Sequence, residues 1–296
     1  MITRQRLIDD LQVLGVKKGD TINVKASLAS IGKVDGGAVE LIEALISVVG
    51  EEGTIITDSF IDSYQLPLNR KNKVIISSDS SPSYAGALAN AMINHPMSVR
   101  SKHPIQKFAA IGKRANELML SHDENSYAYD VLRKITHTGG KNLKIGSDEK
   151  VYGFGTTHVA IGELGYRQKA PSLGVNFQDN NGNVKLFKRN WAGAGHGFNK
   201  LVPYYQQAGA IINQGYVGFA PSKLTDMSKT FEVEMRVLSD SPGLQLCDDM
   251  SCVDCQLSWN FSDASILKFL NGLRFKLSPS LIYRALKTRF IYKYHG

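Results

Sequence analysis

Hydrophobic positions along the first sixty residues follow two alternating periods. Leu7, Leu11 and Leu14 recur at the spacing of one helix face, whereas Ile22 and Val24 alternate with polar neighbours as in a strand. These periods predict, in chain order, a helix over residues 1–15, a strand over 19–27, a helix over 36–50 and a strand over 53–60. A unit of strand, loop, helix and strand predicts an α/β architecture whose sheet is buried on both faces.

The same alternation continues along the chain to about residue 256. "DNNGNV" predicts a hairpin turn between two strand-like runs in residues 172–190. The remaining predicted elements are helices over residues 80–96, 113–122, 129–140 and 200–215 and strands over residues 108–112 and 141–147. No internal repeat or low-complexity linker interrupts this order. We therefore predict one catalytic unit over residues 1–256, followed by a basic amphipathic extension over residues 257–296.

The positive charge is concentrated in the extension. Seven of the 35 lysines and arginines follow Asp263, where there is no acidic residue, and the other 28 nearly balance the 27 acidic residues. Such a tail is able to rest on an anionic membrane surface or a polyanion, but we favour a packed helix pair with solvated lysines. We expect no nucleic-acid partner, and the oligomeric state is left open. No apolar run is long enough to span a bilayer and no secretory segment is recognisable, which predicts a cytoplasmic protein.

The three cysteines lie close together in "CDDMSCVDC", as Cys247, Cys252 and Cys255. An odd number of cysteines does not suggest a disulfide framework. A zinc site needs a fourth ligand, and downstream of the cysteines the one candidate is the distant His295. The sequence therefore favours reduced thiols at the edge of a core, and we expect no metal centre.

A glycine-rich turn follows the first predicted strand, in "KASLASIGKVDGGAVE" at residues 25–40. Small residues and glycines let backbone N–H groups approach an anion or a cofactor phosphate where a strand turns into a helix. The stretch lacks the Gly-Lys-Ser/Thr ending of a P-loop and is not a GxGxxG fingerprint. A plain tight turn has much the same sequence.

Several segments in a fixed order resemble the aminoglycoside 3-N-acetyltransferase family. They are "KASLASIGKVDGGAVELIEALISVVGEEGTII", "SSPSYAGALA", "RSKHPIQKFAAIGKRANELMLSH", "YDVLRKI" with "LKIG", and "GTTH". "GFNKL" at residues 197–201 is similar to the family's Gly-Phe-Asp-x-Leu stretch. The resemblance covers roughly residues 5–255.

The resemblance implies a layered α/β/α fold with a central mixed sheet, unrelated to the GCN5-type acetyltransferases. It implies that acetyl-CoA binds in a cleft and that its acetyl group passes directly to a sugar amine. It places His158 as general base. Thr156, two residues before His158, and Glu163, the nearest acid after it, complete the candidate catalytic group. The residues that it assigns to the CoA channel are Lys25, Ser27, Leu28, Ile31, Gly32, Ser83, His103 and Pro104.

The spacing around His158 departs from the family's Thr-x-x-His-x-x-Glu pattern on both sides. Thr156 and Thr157 lie two and one residues before His158 instead of three. Ile161 stands where the glutamate is expected, and the nearest acid is Glu163, five residues after His158. Residues five apart on a helix point well away from each other, so Glu163 orients His158 only if Gly162 breaks the helix. Asp58 and Asp130 are alternative orienting acids.

Physical chemistry also makes His158 a plausible base. If Thr156 is the N-cap, His158 lies in the first helical turn, where the helix dipole disfavours the charged imidazolium. A neutral ring near pH 7 is able to accept a proton from an amine. The alternative is a histidine with a purely structural role, which we prefer for His95, His122, His137 and His196 and leave open for His103.

Charge also bears on the acceptor. An enzyme for polycationic aminoglycosides is expected to have an acidic cleft, whereas this chain has an isoelectric point near 9.2. We therefore favour an anionic acceptor, such as a nucleotide-linked amino sugar for surface polysaccharide, with an aminoglycoside antibiotic as the alternative. A non-catalytic binding or scaffold protein of the same fold is a second alternative, because the acid after His158 is displaced.

Overall fold

The computed structural model of the chain describes residues 1–148, 153–167, 173–189 and 195–252, together with residues 151, 191, 255, 259–261, 267 and 270–272. Its α-helices are α1 (Arg4–Val13), α2 (Leu28–Ile31), α3 (Ala38–Val49), α4 (Ala87–Asn94), α5 (Ala115–Leu120), α6 (Asp130–Thr136), α7 (Thr156–Glu163), α8 (Val202–Gln207) and α9 (Met227–Asp240). Two 3₁₀ helices span Phe198–Leu201 and Pro242–Gln245.

Two sheets make up the β-structure of the described residues. The strands are β1 (Thr21–Ala26), β2 (Thr54–Asp58), β3 (Tyr64–Gln65), β4 (Ile76–Ser77), β5 (Val99–Arg100), β6 (Phe108–Gly112), β7 (Lys141–Ile145), β8 (Leu173–Gln178), β9 (Val184–Lys188), β10 (Ile211–Val217) and β11 (Ala220–Asp226). The larger sheet has the order β10-β11-β7-β1-β2-β6-β5. In the smaller sheet β8 pairs with β9, β3 and β4.

The centre of the larger sheet is parallel and its flanks are antiparallel. β1 pairs in parallel with both β2 and β7, whereas β6 and β11 join their neighbours antiparallel. The carboxyl ends of β1 and β2 therefore lie at one edge of the sheet, which is where open α/β sheets usually bind ligands. Lys25 and Asp58 lie at these two strand ends.

Both faces of the larger sheet are buried. The successive residues Ile55 and Ile56 of β2 point to opposite faces, and each is almost completely inaccessible within a different hydrophobic cluster. The first cluster packs α1, α3 and α4 against one face, and the second packs α5 and α6 against the other. The predicted layered α/β/α arrangement with a mixed central sheet is thus confirmed.

Two predicted helices have different bounds in the structure. The first begins at Ala87 and not at residue 80, because the Arg100 guanidinium donates to the carbonyl oxygens of Asp79 and Ser81 and holds that segment as a loop. The predicted helix over residues 200–215 ends at Gln207. The chain turns at Gly209 with a positive φ and continues as β10, whose β-branched start pairs with β11.

The packing of the body continues past residue 256. Trp259 and Phe261 belong to a third hydrophobic cluster with α7, α8 and α9, and the backbone N–H of Asn260 donates to the carbonyl of Arg167. Most of the basic extension, including its predicted membrane contact, lies outside the described residues. Within the part of the chain that the structure describes, no helix is both long and apolar enough to cross a membrane.

Candidate functional site

The candidate base lies at the start of α7. The N-cap of this helix is Gly155, which has no side chain to accept a capping hydrogen bond. Thr156 is the first helical residue, so the prediction of Thr156 as N-cap is wrong. His158 still lies in the first turn, where its backbone N–H donates to the carbonyl of Gly155 at 3.1 Å. The glycine fits because a side chain here would strike Leu132 and Asn23.

The two threonines of α7 point away from the sheet edge and into the protein. Thr156 Oγ1 and Thr157 Oγ1 donate to Glu234 Oε1 at 2.9 and 2.8 Å, and the hydroxyl of Tyr205 donates to the same oxygen at 2.6 Å. Burial raises the pKa of Glu234 to about 8, although these three hydroxyls lower it. Thr156 is therefore a buried partner of Glu234 and does not donate a hydrogen bond towards a ligand.

Two aromatic rings fix the imidazole of His158. The Tyr129 ring stacks on it with 4.3 Å between centroids and 8° between planes, and Phe198 meets it edge-on at 4.8 Å. Burial lowers the pKa of His158 well below its usual range, and the charges of Lys25 and Arg189 lower it further. The ring is thus neutral at pH 7, as expected, but burial is the main cause and not the helix dipole.

His158 lines two separate cavities. The first cavity, of about 400 Å³, lies at the carboxyl ends of β1 and β2 and is lined also by Lys25, Asp58, Tyr84, Tyr129 and Arg189. The second cavity, of about 680 Å³, is lined by Tyr127, Glu163, Tyr166, Trp191 and Trp259. An imidazole between two cavities of this size is placed to act on two bound molecules at once.

The three acids considered as partners of His158 contact other groups. Glu163 Oε1 lies 3.8 Å from Nε2 of His137, and Asp58 Oδ2 lies 3.2 Å from Nζ of Lys25. Asp130 Oδ1 lies 2.7 Å from an arginine of its own helix. Among the described residues, no carboxylate hydrogen-bonds to the His158 ring, so the expected orienting contact with Glu163 is not present and aromatic packing takes its place.

The residues assigned to the CoA channel near β1 have different positions. Lys25 lines the first cavity. Ser27 is the N-cap of α2, Leu28 is its first residue and Gly32 its C-cap, and none of the three lines that cavity. The side chain of Ile31 is completely inaccessible in the first hydrophobic cluster, so it supports the turn from within and cannot touch a ligand.

The other assigned residues lie in two loops, Ser83 between β4 and α4 and His103 and Pro104 between β5 and β6. Ser83 Oγ donates to the carbonyl of Phe60 at 2.8 Å and so holds the loop that brings Tyr84 into the cavity. His103 and Pro104 are buried, and neither lines one of the two cavities. His103 stacks on His122 with 4.9 Å between centroids, so it is a core residue and not part of a channel wall.

Asn199 in "GFNKL" was not predicted as a site residue. Its Oδ1 accepts hydrogen bonds from Lys144 Nζ at 3.2 Å and from the backbone N–H of Gly153 at 2.7 Å, while its Nδ2 donates to the carbonyl of Asp148 at 2.6 Å. It therefore fixes the loop that leads into α7. The aspartate that the family has at this position cannot donate a hydrogen bond to the carbonyl of Asp148. The replacement of that aspartate by Asn199 in "GFNKL" was therefore the sequence feature from which this role could have been predicted.

The described residues form a mixed α/β sheet at whose edge one histidine is shared by two cavities. A family model described as "Aminoglycoside 3-N-acetyltransferase" matches residues 24–239, and the chain belongs to this family. The family and the fold class predicted from the sequence are thus confirmed.

Individual relatives agree with this assignment. The chain is 38% identical over 136 residues to the SPbeta prophage-derived aminoglycoside N(3')-acetyltransferase-like protein YokD of Bacillus subtilis. This alignment covers 40% of the chain and 50% of the relative. It is 33% identical over 154 residues to aminoglycoside N(3)-acetyltransferase IX of Micromonospora chalcea, which covers 47% of the chain and 55% of the relative. The chain spans about half the length of the curated relatives it matches.

Solved structures share the fold over a longer stretch. The crystal structure of YokD superposes with a TM-score of 0.69 and 26% identity, covering 81% of this chain and 100% of that one. AAC-IIIb, solved as a binary complex with CoASH, gives a TM-score of 0.65 at 23% identity and covers 80% and 96% of the two chains. The second likeness is a likeness of fold.

Proposed function

We propose that the chain transfers the acetyl group of acetyl-CoA directly to an amine of an aminoglycoside, with His158 as general base. The observation that carries this proposal is that the His158 imidazole forms part of the wall of both cavities. A direct transfer needs donor, acceptor and base in one place at the same time. A ring shared by two cavities meets that requirement.

The first cavity is the proposed site of acetyl-CoA. It lies at the carboxyl ends of β1 and β2 beside the glycine-rich turn, and it includes the cationic side chains of Lys25 and Arg189. Cations and backbone N–H groups at such an edge favour an anionic cofactor. AAC-IIIb, which shares the fold, was solved as a binary complex with CoASH, which supports CoA as the ligand class.

The second cavity is the proposed site of the acceptor. Tyr127, Tyr166, Trp191 and Trp259 supply aromatic surface on which sugar rings pack, and Glu163 supplies a carboxylate for an ammonium group. The lining also contains Arg167 and Arg133, of which Arg133 is paired with Asp130, so charge does not select the acceptor. The relatives named aminoglycoside acetyltransferases favour the antibiotic acceptor over the nucleotide-linked sugar. The net charge was misleading because much of the excess comes from the extension and says little about one cavity.

The chemistry assigns one proton transfer to His158. An aminoglycoside amine is an ammonium ion at pH 7 and gains its lone pair only when one proton leaves to solvent. The neutral imidazole accepts a second proton from the nitrogen as the nitrogen forms a bond to the thioester carbonyl carbon. Collapse of the tetrahedral intermediate then breaks the C–S bond, and His158 passes its proton to the CoA sulfur, so the products are the amide, CoASH and the proton released to solvent. A positioned base of this kind contributes about 10²–10⁴-fold to the rate.

The test is acetyl transfer by the full chain to gentamicin, followed by CoA release and by the mass of the acetylated product. We expect His158→Ala to lower kcat by about 10²-fold or more with little change in CoA affinity, because the imidazole acts on the amine. His137→Ala is the matched control, since that histidine is exposed and lines neither cavity. Near-normal turnover by a folded His158→Ala variant would remove His158 from the mechanism.

The same assay separates the alternatives. A higher kcat/KM with a UDP-linked amino sugar than with gentamicin would reverse the choice of acceptor. Absence of CoA release with every amine, in a folded chain that still binds CoA, would favour the non-catalytic binding protein.

A further inference from the structure

The three cysteines meet a histidine that the sequence did not place near them. Sγ of Cys247, Cys252 and Cys255 and one ring nitrogen of His196 all lie within 4.8 Å of one another. Nδ1 of His196 is 3.5 Å from Sγ of Cys252. The fourth member of the group thus comes from upstream of the cysteines, whereas the sequence search had considered only His295 downstream, which lies outside the described residues.

The backbone is built to hold the two segments together. A Cβ atom at Gly197 would lie 2.3 Å from the carbonyl oxygen of Gln245 and 2.4 Å from that of Leu246, so only glycine permits this close approach. Nζ of Lys200 donates to the carbonyl of Leu246 at 2.8 Å and also bonds Asp248. These contacts hold the backbone around His196 beside Cys247, the first residue of the cysteine segment.

The cysteine segment folds back so that its three thiols converge. The carbonyl of Asp249 accepts the backbone N–H of Cys252 at 3.0 Å, and its carboxylate accepts the N–H and hydroxyl of Ser251. The backbone N–H of Cys247 donates to Sγ of Cys255 at 3.4 Å. N–H donors to sulfur are typical of the groups that surround thiolates bound to a metal.

We propose that Cys247, Cys252, Cys255 and His196 bind one zinc ion. Four ligands of the Cys₃His type make a closed tetrahedral site, and the spacings Cys-x4-Cys and Cys-x2-Cys fall within those of structural zinc sites. Neighbouring ligand atoms around zinc lie roughly 3.5–4 Å apart, so the present group has to contract by about 1 Å at most. Three soft thiolates and one imidazole favour zinc over magnesium or calcium, which prefer oxygen.

The position of this site gives it a structural role next to the cavities. His196 lines the first cavity, and Phe198, two residues on, packs edge-on against the His158 ring at 4.8 Å. Cys255 is buried in the third hydrophobic cluster, which also contains Phe198. A bound ion therefore ties the loop that carries Phe198 to the body, and with all four positions taken by protein it has no open place for a substrate.

The experiment measures the zinc content of the full chain, purified under reducing conditions without chelator. Its readout is the amount of bound metal and does not depend on activity. We expect about one zinc per chain in the wild type and at least a tenfold loss in Cys252→Ser and His196→Asn. His137→Asn, an exposed histidine away from the group, should keep the wild-type content. Equal zinc in all four proteins would place the ion elsewhere and overturn the proposal.

A titration that needs no variant keeps the test independent of folding. Zinc is removed with a chelator, excess chelator is washed away, and Co²⁺ is added to the reduced wild-type chain. One equivalent should produce the visible absorption of tetrahedral cobalt bound to thiolates, and one equivalent of Zn²⁺ should remove it. A reduced chain that binds neither ion, or an intact mass two hydrogens lower from a disulfide within the group, would overturn the proposal.

Discussion

The imidazole of His158 lies almost parallel to the phenol ring of Tyr129, with 4.3 Å between the two centroids and 8° between the planes. Since no carboxylate among the described residues bonds to the imidazole, this stacked pair and the edge of Phe198 determine the direction of its ring nitrogens. An aromatic pair of this kind is worth about 0.5–1.5 kcal/mol beyond the area it buries.

Removal of the Tyr129 ring should therefore lower turnover, whereas removal of its hydroxyl should not. We expect Tyr129→Ala to reduce kcat about 2- to 13-fold, the rate equivalent of the pair energy, and Tyr129→Phe to remain near wild type. Steady-state kinetics with acetyl-CoA and gentamicin checks both, with circular dichroism to establish that each variant is folded. A similar loss in both variants would assign the effect to the hydroxyl instead.

The activity should extend to unusually low pH. An imidazole titrates near pH 6.5 when free, and burial with Lys25 and Arg189 lowers the pKa of His158 well below that value. The ring is active when unprotonated, so the part of the pH profile that His158 sets should fall only when the pH drops below the lowered pKa. Measurement of kcat/KM from pH 4.5 to 9, divided at each pH by the fraction of unprotonated acceptor amine, checks this, and a remaining acidic limb at pH 6.5 or higher would contradict it.

A charge substitution tests the cause of that shift. Lys25→Met removes one of the two nearby cations and leaves Asp58 without its partner, so both changes favour the protonated imidazole and move the acidic limb to higher pH. Lys33→Met is the matched control because Lys33 is exposed and is not a cause of the shift. Identical limbs in the two variants would mean that burial alone lowers the pKa.

Glu163 should affect acceptor binding more than the chemical step. Its carboxylate lines the second cavity and lies 3.8 Å from His137 rather than on His158. We expect Glu163→Gln to raise the KM for gentamicin several-fold, the value of about 1 kcal/mol for a partly exposed ion pair, with kcat nearly unchanged. His137→Asn removes the contact between His137 and Glu163 but keeps the Glu163 carboxylate, so it should leave the KM for gentamicin unchanged. A large fall in kcat would restore Glu163 as the orienting acid.

Glu234 should make the protein less stable as the pH rises. Its carboxyl has a pKa of about 8 in the folded chain, against about 4.5 in the unfolded chain. Between these values the folded state holds a proton that the unfolded state has released, so the free energy of unfolding falls with pH by at most about 1.4 kcal/mol per unit. Urea unfolding at pH 5, 6, 7 and 8 should show this slope in the wild type and a flatter curve in Glu234→Gln. Parallel curves would refute it.

Periodicity was sufficient for the elements that form the core. The apolar face of α3 and the strands β1 and β2 bury their side chains on a regular pattern, so spacing alone predicts them. It failed at residues 208–215, where two alanines after the tyrosine-containing helix α8 continue the helical pattern across the helix end and towards the start of β10. The pairing with β11 overrides the local preference there, and that pairing is not visible in one sequence.

The candidate site was predictable only in part. The strand-to-helix segment and the family pattern indicated His158, and the structure places it at the cavity walls. The rings that pack against His158 come from Tyr129 and Phe198, which are distant from it in sequence. Neither residue belongs to a motif that predicts contact with a catalytic histidine. Likewise, His196 precedes Cys247 by some fifty residues, and only the fold brings them together.

The wall that separates the two cavities has a consequence for how such a protein diversifies. Under the proposed function, side chains such as Trp259 and Glu163 line the acceptor cavity alone, while Lys25 and Asp58 line the cofactor cavity alone. Mutations that widen or recharge one compartment therefore leave the other intact. A lineage with this architecture is free to exchange one antibiotic for another, or to lose antibiotics for a different amine, while it inherits its acetyl donor unchanged.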